Sequence, residues 1–209
     1  MDKVDIKVSV IMLTYNREKL VAHAIESVLA QTMQEFEFII VDNGSSDNSG
    51  KIADEYAKKD NRVRVLHIPK STIGAGRNEG LNIASGKYIT FLDDDDSIDA
   101  DMLEFMYRLA VENDAEISIC GSTKTVNGQE LPNCVFQEKL LMTPEEAVVT
   151  LLKRKKYSAG MPAKLFERSL FDKIRFATDR RYEDIHTTYK YFAEAKRVAA
   201  HGLPKYRIL

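Results

Sequence analysis

Short apolar runs alternate with helix-forming segments along the first part of the chain. The apolar runs, each of a length typical of a strand, are residues 8–13, 36–41, 63–68, 88–92 and 117–120. The segments between them place apolar side chains at helical spacing over about ten to fifteen residues. Strands joined by helices of that length form βαβ units, whose strands are parallel. The pattern therefore predicts an α/β fold with a Rossmann-like, mostly parallel central sheet flanked by helices.

The fourth apolar run ends in four consecutive aspartates, Asp93 to Asp96. Two like charges ~4 Å apart repel each other by roughly 4 kcal/mol at an effective dielectric constant of ~20. A divalent cation relieves this repulsion, and Mg²⁺ and Mn²⁺ both prefer carboxylate and water oxygens. The cluster therefore indicates a cation site. This stretch alone leaves open a solvated acidic turn in which Ser97 or Asp99 caps the next helix.

Three of the predicted strands end in polar residues. The first ends at Thr14-Tyr15-Asn16, the second at Asp42-Asn43-Gly44 and the fourth at the aspartates. In an open α/β sheet, ligands bind beyond the carboxyl ends of the strands. A nucleotide fits this edge if its base and ribose meet the first two loops and its phosphates meet a cation on the third. Each loop alone is equally typical of a turn or helix cap, but three together favour a binding site.

Beyond residue 120 the elements are predicted from local signals. Asn127-Gly128 predicts a two-residue hairpin turn, and Thr143-Pro144-Glu145-Glu146 predicts a helix that continues to residue 152. Residues 161–166 and 206–209 are predicted strands. The basic run 153–156 is typical of a solvent-exposed helix end or of a surface that faces an anionic acceptor. A last helix is predicted from residue 182, and its expected apolar side consists of Tyr189, Phe192 and Ala193.

Composition limits the compartment and the partners. A formal net charge of −2 over 209 residues gives no whole-surface attraction for nucleic acid or an anionic membrane. The two cysteines, Cys120 and Cys134, lack metal-binding spacing and suit a reducing cytosol. The opening residues do not form a secretory signal, and no apolar run is long enough to span a bilayer. We therefore expect a cytoplasmic protein with no nucleic-acid partner and at most peripheral contact with the inner face of the membrane.

Five motifs, taken together and in this order, resemble those of the family 2 glycosyltransferases. They are residues 9–16 (SVIMLTYN), 39–47 (IIVDNGSSD), 74–81 (GAGRNEGL), 88–96 (YITFLDDDD) and 182–184 (YED). Each motif is weak alone, but their joint order is highly specific, and the resemblance runs from about residue 7 to about residue 207. The stretch 163–166 is also similar to that of members that build bacterial surface polysaccharides.

The resemblance implies the GT-A fold and an activity. The expected activity is the inverting transfer of a sugar from a nucleotide-sugar donor, expected to be a UDP-sugar, to a glycan or lipid-linked acceptor. Mn²⁺ or Mg²⁺ would be the cofactor. Residues 1–209 would form a single GT-A catalytic domain, with a nucleotide-sugar-binding half up to about residue 120 and an acceptor-side half beyond it. Because residues 206–209 end without a terminating signal, we expect that the domain is cut short at its C-terminus.

The resemblance also implies roles for residues of the first three motifs. Thr14 and Tyr15, with the neighbouring Asn16, would lie at the nucleobase, where the ring of Tyr15 offers a stacking face. Asp42 would form a hydrogen bond with uracil. Arg77 would support the base or the diphosphate.

The acidic cluster and the Glu-Asp pair complete the implied site. Asp93 matches the first carboxylate of the family's Asp-x-Asp motif, near the ribose and the metal, and Asp95 matches the second, a metal ligand. Asp94, the middle residue, is itself acidic, and Asp96 follows, so the division of metal contacts within the cluster stays open. In Glu183-Asp184, the catalytic pair, Asp184 would be the general base that takes the acceptor proton.

These motifs also allow other interpretations. Asp184 would be an ordinary helix cap if the Glu-Asp pair stood alone, but the donor motifs favour the base. Residues 74–80 do not match a dinucleotide fingerprint, because their third glycine is one position late and they follow the third strand. A sugar nucleotidyltransferase remains an alternative, although its Gly-rich, Arg-containing opening is absent. A non-catalytic nucleotide-sugar or cation-binding module is the other, although it would need no base.

Overall fold

The computed structural model describes residues 5–179 and 181–209; residues 1–4 and 180 of the predicted domain lie outside this description. The first half alternates strands and helices as predicted: β1 Val8–Thr14, α1 Val21–Leu29, β2 Phe36–Asp42, α2 Ser49–Lys59, β3 Val63–His67, α3 Ile73–Ile83 and β4 Tyr88–Asp93. The second half consists of β5 Ser97–Ile98, α4 Met102–Val111, β6 Ile117–Val126, β7 Gln129–Cys134, β8 Lys139–Met142, α5 Pro144–Lys153, β9 Lys164–Glu167, α6 Leu170–Lys173, α7 Glu183–Glu194 and β10 Val198–Ile208.

The strands form one ten-stranded sheet. Its order is β3-β2-β1-β4-β9-β6-β10-β5, with β7 paired to β6 and β8 paired to β10. The first four strands of this order are parallel throughout. β9 then lies antiparallel between β4 and β6, and β6 and β10 are parallel to each other. The predicted α/β sheet, with a parallel central part and antiparallel additions, is confirmed.

Helices cover both faces of the sheet. On β1, Val8, Val10 and Met12 pack with the buried side chains of α1 and α4, whereas Ile11 packs on the opposite face with those of α3, α5 and α7. Successive side chains of a strand point to opposite faces. Because both faces are covered, the central strands are nearly continuous apolar runs rather than alternating ones.

Two local signals in the second half led to correct predictions. Asn127 and Gly128 have φ angles of +51° and +76° and connect β6 to β7, which is the backbone that the Asn-Gly pair favours in a two-residue hairpin. Thr143 accepts a hydrogen bond from the backbone nitrogen of Glu146, whose side chain bonds back to the Thr143 nitrogen. This reciprocal pair begins α5 at Pro144.

The predicted apolar side of the last helix was wrong in two of its three residues. Tyr189 is 43% exposed and Ala193 is also exposed, whereas Phe192 is buried. The buried face of α7 consists of Glu183, Thr187, Thr188, Tyr191 and Phe192. Threonine can lie on this face because its hydroxyl is satisfied locally, as the bond from Thr187 Oγ1 to the Glu183 carbonyl (2.6 Å) shows.

Candidate active site

The register of the parallel strands brings three strand ends to one edge of the sheet. Thr14 lies opposite Asp42 on β2, and Leu13 lies opposite Asp93 on β4. A cleft of about 1050 Å³ opens at this edge. Eight of the ten predicted site residues line it, namely Thr14, Tyr15, Arg77, Asp93, Asp94, Asp95, Glu183 and Asp184. Residues from both halves of the chain therefore meet in one cleft.

Asp42 and Asn16, the other two predicted site residues, do not line the cleft. The Asp42 carboxylate accepts a hydrogen bond from the backbone nitrogen of Ser45 (3.0 Å) and lies 2.9 Å from His67 Nδ1. Asn16 Oδ1 accepts a hydrogen bond from the backbone nitrogen of Ser46 (2.8 Å). Both short side chains thus bond the loop that follows β2, whose donors lie nearest to them. Their contacts with a nucleotide stay predictions.

Two residues at the end of β1 face the cleft in different ways. The hydroxyl of Thr14 is fully buried and has no hydrogen-bond partner in the part of the chain that the structure describes. The ring of Tyr15 is 41% exposed, and the ammonium group of Lys70 lies over its face. A buried hydroxyl without a partner is costly unless a ligand satisfies it. Thr14 and Tyr15 therefore offer a polar and an aromatic contact to one ligand.

Three of the four clustered aspartates line the cleft. Arg17 lies 3.4 Å from Asp94 Oδ1 with its Nε and 3.4 Å from Asp95 Oδ2 with an Nη. Burial raises the pKa of Asp94 above its ordinary value. Burial among protein atoms likewise raises the pKa of Asp93, although Arg77 opposes this rise. The neighbouring arginines thus offset only part of the cost of burying these carboxylates.

Asp96, the fourth aspartate, faces the protein interior. Its Oδ2 accepts a hydrogen bond from the Tyr206 hydroxyl (2.8 Å), and its Oδ1 accepts one from the backbone nitrogen of Leu209 (3.0 Å). Burial raises the pKa of Asp96 to about 6. Asp96 therefore fastens the last strand and its end to the acidic loop, and the cluster divides into three cleft residues and one anchor.

Arg77 links the donor motifs to the Glu-Asp pair. Its Nη1 donates a hydrogen bond to Glu183 Oε1 (2.6 Å), and its Nη2 lies 3.4 Å from Asp93 Oδ1. The guanidinium group also lies 5.6 Å and 5.5 Å from the ring centres of Phe91 and Phe176. Both Arg77 and Glu183 are buried. A charge-assisted bond in such a site fixes the guanidinium geometry tightly.

The glycines of the 74–80 segment explain how Arg77 reaches this position. A Cβ atom on Gly76 would lie 2.4 Å from Leu13 Cδ1, and one on Gly80 would lie 2.6 Å from Ile11 Cγ2. Only glycine allows α3 to approach β1 so closely. The glycines therefore serve helix–strand packing, in agreement with the rejection of a dinucleotide fingerprint.

Asp184 lies in the first turn of α7, not at its cap. The helix begins at Glu183, directly after Tyr182, whose φ angle is +58°. Asp184 Oδ1 accepts a hydrogen bond from the backbone nitrogen of Ile185 (2.8 Å). The buried Glu183 and the cleft-lining Asp184 are therefore adjacent in sequence but have different surroundings.

Several cleft residues were missed by the sequence analysis: Arg17, Asn43, Lys70, Ser71, Arg181 and Tyr182. Arg17 directly follows the motif at 14–16, so its position was a usable signal. Lys70 and Ser71 lie in the loop after β3, and no sequence motif marks the end of this strand. Asn43 Oδ1 accepts a hydrogen bond from the backbone nitrogen of Ser71 (2.8 Å), and this contact joins the loops after β2 and β3.

The acidic side chains of the cleft are potential ligands for a divalent cation. Within residues 5–179 and 181–209, no three His, Cys, Asp or Glu side chains converge as a complete metal site. Mg²⁺ commonly needs only one or two carboxylates, because water and substrate phosphates complete its shell. Asp93 and Asp95 have side chains 46% and 37% exposed. The described lining has six acidic residues and four basic ones, so the donor set and its charge fit a cation.

Comparison with known proteins identifies relatives of this chain. The family model "Glycosyl transferase family 2" matches residues 9–175. Glycosyltransferase GlyG of Streptococcus pneumoniae is 32% identical and covers 91% of this chain, which spans 66% of GlyG. A poly(ribitol-phosphate) beta-glucosyltransferase of Bacillus spizizenii is 34% identical over 92% of this chain, which spans 30% of that protein. This chain therefore spans less than two thirds of these relatives.

Solved structures show the same fold. The crystal structure of S. aureus TarS 1-349 matches with a TM-score of 0.83 and 27% identity, over 97% of this chain and 60% of that one. TarS 1-349 in complex with UDP-GlcNAc matches with a TM-score of 0.82 and 27% identity, over 96% of this chain and 58% of that one. The expected GT-A fold is confirmed, and the chain belongs to glycosyl transferase family 2.

Proposed function

We propose that this chain transfers a sugar, with inversion, from a UDP-sugar to a hydroxyl group of a glycan or lipid-linked acceptor, and that it uses Mn²⁺ or Mg²⁺. The observation that carries this proposal is the convergence of Asp93, Asp95, Arg77 and Asp184 in one cleft of a family 2 chain. The TarS complex with UDP-GlcNAc, in a fold matched over 96% of this chain, supports a UDP-sugar as the donor.

The nucleotide would lie against the end of β1. The exposed ring of Tyr15 would stack on the base, and the unpartnered hydroxyl of Thr14 would find a hydrogen-bond partner in the ligand. Lys70, which lies over the ring of Tyr15, would have to leave that face before a base stacks there. Asp42 and Asn16 would support the nucleotide site indirectly, because their side chains hold the loop after β2 in place.

The diphosphate would lie beside the acidic loop. Asp93 and Asp95 would hold the cation, and Asp94 would remain bonded to the backbone nitrogen of Tyr15 (3.2 Å). A bound dication supplies Lewis-acid stabilisation of the negative charge on a departing diphosphate. Carboxylates alone would repel the diphosphate. The net negative charge of the cleft lining therefore favours binding of the diphosphate through a cation over direct binding.

The reaction would exchange one bond at the anomeric carbon for another. The acceptor oxygen forms a bond to C1 as the bond from C1 to the diphosphate oxygen breaks, and UDP leaves with that electron pair. The proton of the acceptor hydroxyl passes to the carboxylate of Asp184, which lines the same cleft. Because attack and departure lie on opposite faces of the sugar, the configuration at C1 inverts.

Glu183 would position Arg77 rather than move a proton. Its carboxylate is buried and bonded to Arg77 Nη1, so an acceptor hydroxyl does not compete for it. Arg77, held in this way, would stay oriented toward Asp93 and the diphosphate. The two acidic residues of the pair would therefore divide the work, with Glu183 fixing the donor side and Asp184 serving the acceptor.

The compartment and the domain division belong to this proposal as well. No helix of residues 5–179 and 181–209 is long and apolar enough to cross a membrane. We infer action in the cytoplasm, with at most peripheral contact at the inner face of the membrane. The donor half would extend to about residue 120, and the acceptor half would follow it.

Replacement of the base separates transfer from donor binding. We expect Asp184→Asn to keep the UDP affinity of the wild type and to lose at least about 100-fold in transfer rate, because general bases typically contribute 10²–10⁴-fold. The transfer rate is measured as UDP release from UDP-glucose and UDP-GlcNAc in the presence of Mn²⁺ and glycan acceptors. Full activity in Asp184→Asn would exclude it as the base, and a wild type that releases no UDP from any UDP-sugar would overturn the proposed function.

A further inference from the structure

Lys164, the first residue of β9, is a buried charged residue that the proposed mechanism does not use. Its side chain is 1% exposed. Its Nζ donates hydrogen bonds to the backbone oxygens of Gly160 (2.6 Å) and Pro162 (3.2 Å). Among the residues that the structure describes, it has no carboxylate within ion-pair distance. Burying an ammonium group without a counter-charge is costly, so its place in the interior calls for a function.

The two carbonyl groups belong to the 157–163 loop, which leads into β9 and rests on α7. Met161 of this loop is fully buried, and the Thr188 hydroxyl of α7 lies 3.3 Å from its sulfur atom. Ala163 has a φ angle of +61°, in the left-handed region. The ammonium group of Lys164 therefore bridges two carbonyls of a tightly bent loop that is also fixed to α7.

The same loop passes close to the proposed base. Gly160 has no side chain, and the position that a Cβ atom would occupy there lies 3.9 Å from Asp184 Oδ2. The other oxygen, Oδ1, accepts the hydrogen bond from the Ile185 nitrogen. The carboxylate of Asp184 thus bonds its own helix and faces the loop held by Lys164 across a space that would admit a Cβ atom.

We propose that Lys164 is a positioning residue for Asp184: its ammonium group fixes the 157–163 loop, and the loop packs against α7, which carries Asp184 in its first turn. This inference rests on the proposed function, in which Asp184 is the base. Burial lowers the pKa of Lys164 to about 8, and the negative charge of Asp184 opposes that shift. The two charges therefore interact, although they are not in contact.

Such positioning matters because proton transfer depends on distance. The base must lie within ~3 Å of the acceptor hydroxyl. A misplacement of about 1 Å can cost about 100-fold in rate. A loop that loses its two ammonium hydrogen bonds would let the Asp184 carboxylate shift toward the loop, which would affect transfer but not the binding of UDP at the other wall of the cleft.

The first test replaces Lys164 with methionine, which keeps the length of the side chain and removes the ammonium group. We expect kcat to fall by about 10- to 100-fold, with the KM for the UDP-sugar and the affinity for UDP within twofold of wild type. Lys58→Met, at an exposed position in α2, is the matched control and should keep wild-type kinetics. Wild-type kcat in Lys164→Met overturns the proposal, as does a joint loss of UDP affinity and thermal stability.

A small cavity allows chemical rescue. Lys164, Gly160 and Pro162 line a cavity of about 200 Å³, through which a small amine can reach the space left by Lys164→Ala. We expect n-butylammonium to restore kcat at least fivefold in Lys164→Ala and to leave the wild type unchanged. n-Pentanol, which has similar bulk but no charge, should not restore it. Equal rescue by the alcohol would show that only volume is missing, against the proposal.

A second variant disturbs the loop and leaves Lys164 in place. Gly160 has ordinary backbone angles and room for a Cβ atom, so Gly160→Val should fold. Its γ-carbons would press on the Asp184 carboxylate, and we expect the same signature: lower kcat with unchanged UDP affinity. Wild-type kcat in Gly160→Val would contradict the closeness of the loop to the base.

Hydrogen exchange tests the positioning without any turnover. In Lys164→Met, the backbone amides of the 157–163 loop and of the first turn of α7 should exchange faster than in the wild type, while those of α1 should not change. If the wild type transfers no sugar, the proposed function fails, and this measurement alone decides whether Lys164 orders the loop around Asp184. Unchanged exchange in both segments would overturn the inference.

Discussion

Arg77 connects the donor side of the site with the acceptor side. One of its nitrogens bonds Glu183 of α7 and another lies near Asp93 of β4, and both aromatic neighbours belong to the buried cluster beneath. The side chain of Arg77 thus links the acidic loop to α7, the helix that carries the proposed base. The geometry of donor and acceptor groups therefore depends on one buried ion pair.

Glu183→Gln tests this ion pair. Glutamine keeps the shape of the side chain but removes the charge that faces Arg77, so we expect unfolding in urea to become easier by about 1–3 kcal/mol. Glu112→Gln is the matched control, because the pair of Glu112 with Arg108 is largely exposed; its effect should stay within about 0.5 kcal/mol. Equal effects of the two substitutions would contradict the structural role of Glu183.

Asp96 gives the stability of the protein a distinct pH dependence. Burial raises its pKa from 3.8 to about 6, so the folded protein binds this proton more tightly than the unfolded chain. Its contribution to stability is therefore complete below pH 3.8 and is lost as the pH rises through about 6. From pH 7.5 to pH 4, we expect wild type to gain roughly 2–3 kcal/mol relative to Asp96→Asn.

Urea unfolding of both proteins in EDTA, at several pH values across this range, measures the difference. Comparison with the variant cancels the carboxylates that titrate equally in both proteins. Parallel pH profiles for the two proteins would show that folding leaves the pKa of Asp96 unchanged, against the account of its burial.

At the scale of elements, α3 packs closely against β1. A Cβ atom on Gly80 would lie 2.6 Å from Cγ2 of the buried Ile11, whereas one on Gly76 would meet only the end of the Leu13 side chain. We expect Gly80→Ala to destabilise the protein by about 1–3 kcal/mol, because overpacking outweighs the better helix propensity of alanine. Glu79→Ala, at an exposed position of the same helix, should be nearly neutral. A stabilising effect of Gly80→Ala in thermal unfolding would refute this packing.

The sequence was informative where structure is local and less so where strands pair over long distances. The parallel strands β1 to β4 were predicted because each is followed by a helix with a clear period. The insertion of β9 between β4 and β6 was not, since this pairing joins residues more than 40 positions apart and no local pattern encodes it. The beginning of β10 at Val198 was missed as well, because only residues 206–209 have a strand-like pattern.

The same distinction holds within the site. Eight of the ten residues predicted from the motifs line the cleft, because the carboxyl ends of parallel strands meet at one edge of the sheet. Arg17 and Lys70 were missed, because spacing does not give the direction of a long charged side chain on a loop. The contacts of Asp42 and Asn16 with a nucleotide stay predictions. Both side chains bond the loop after β2, and for Asn16 this contact joins two loops whose approach the sequence pattern does not show.

For the whole molecule, the decisive property is the excess of carboxylates in a cleft that is to receive a diphosphate. The described lining holds Asp93, Asp94, Asp95, Asp179, Glu183 and Asp184 against four cations. The protein's own field thus opposes the ligand that the family relation suggests. A bound divalent cation would make the local potential positive, so donor binding and catalysis would depend on the same ion.

Isothermal titration calorimetry of UDP with wild type and with Asp95→Asn, each with Mn²⁺ and with EDTA, tests this claim most directly. The account predicts that wild type binds UDP at least tenfold more tightly with Mn²⁺ than with EDTA and that Asp95→Asn loses most of this difference. Equal UDP affinity of wild type with Mn²⁺, with Mg²⁺ and with EDTA would contradict it.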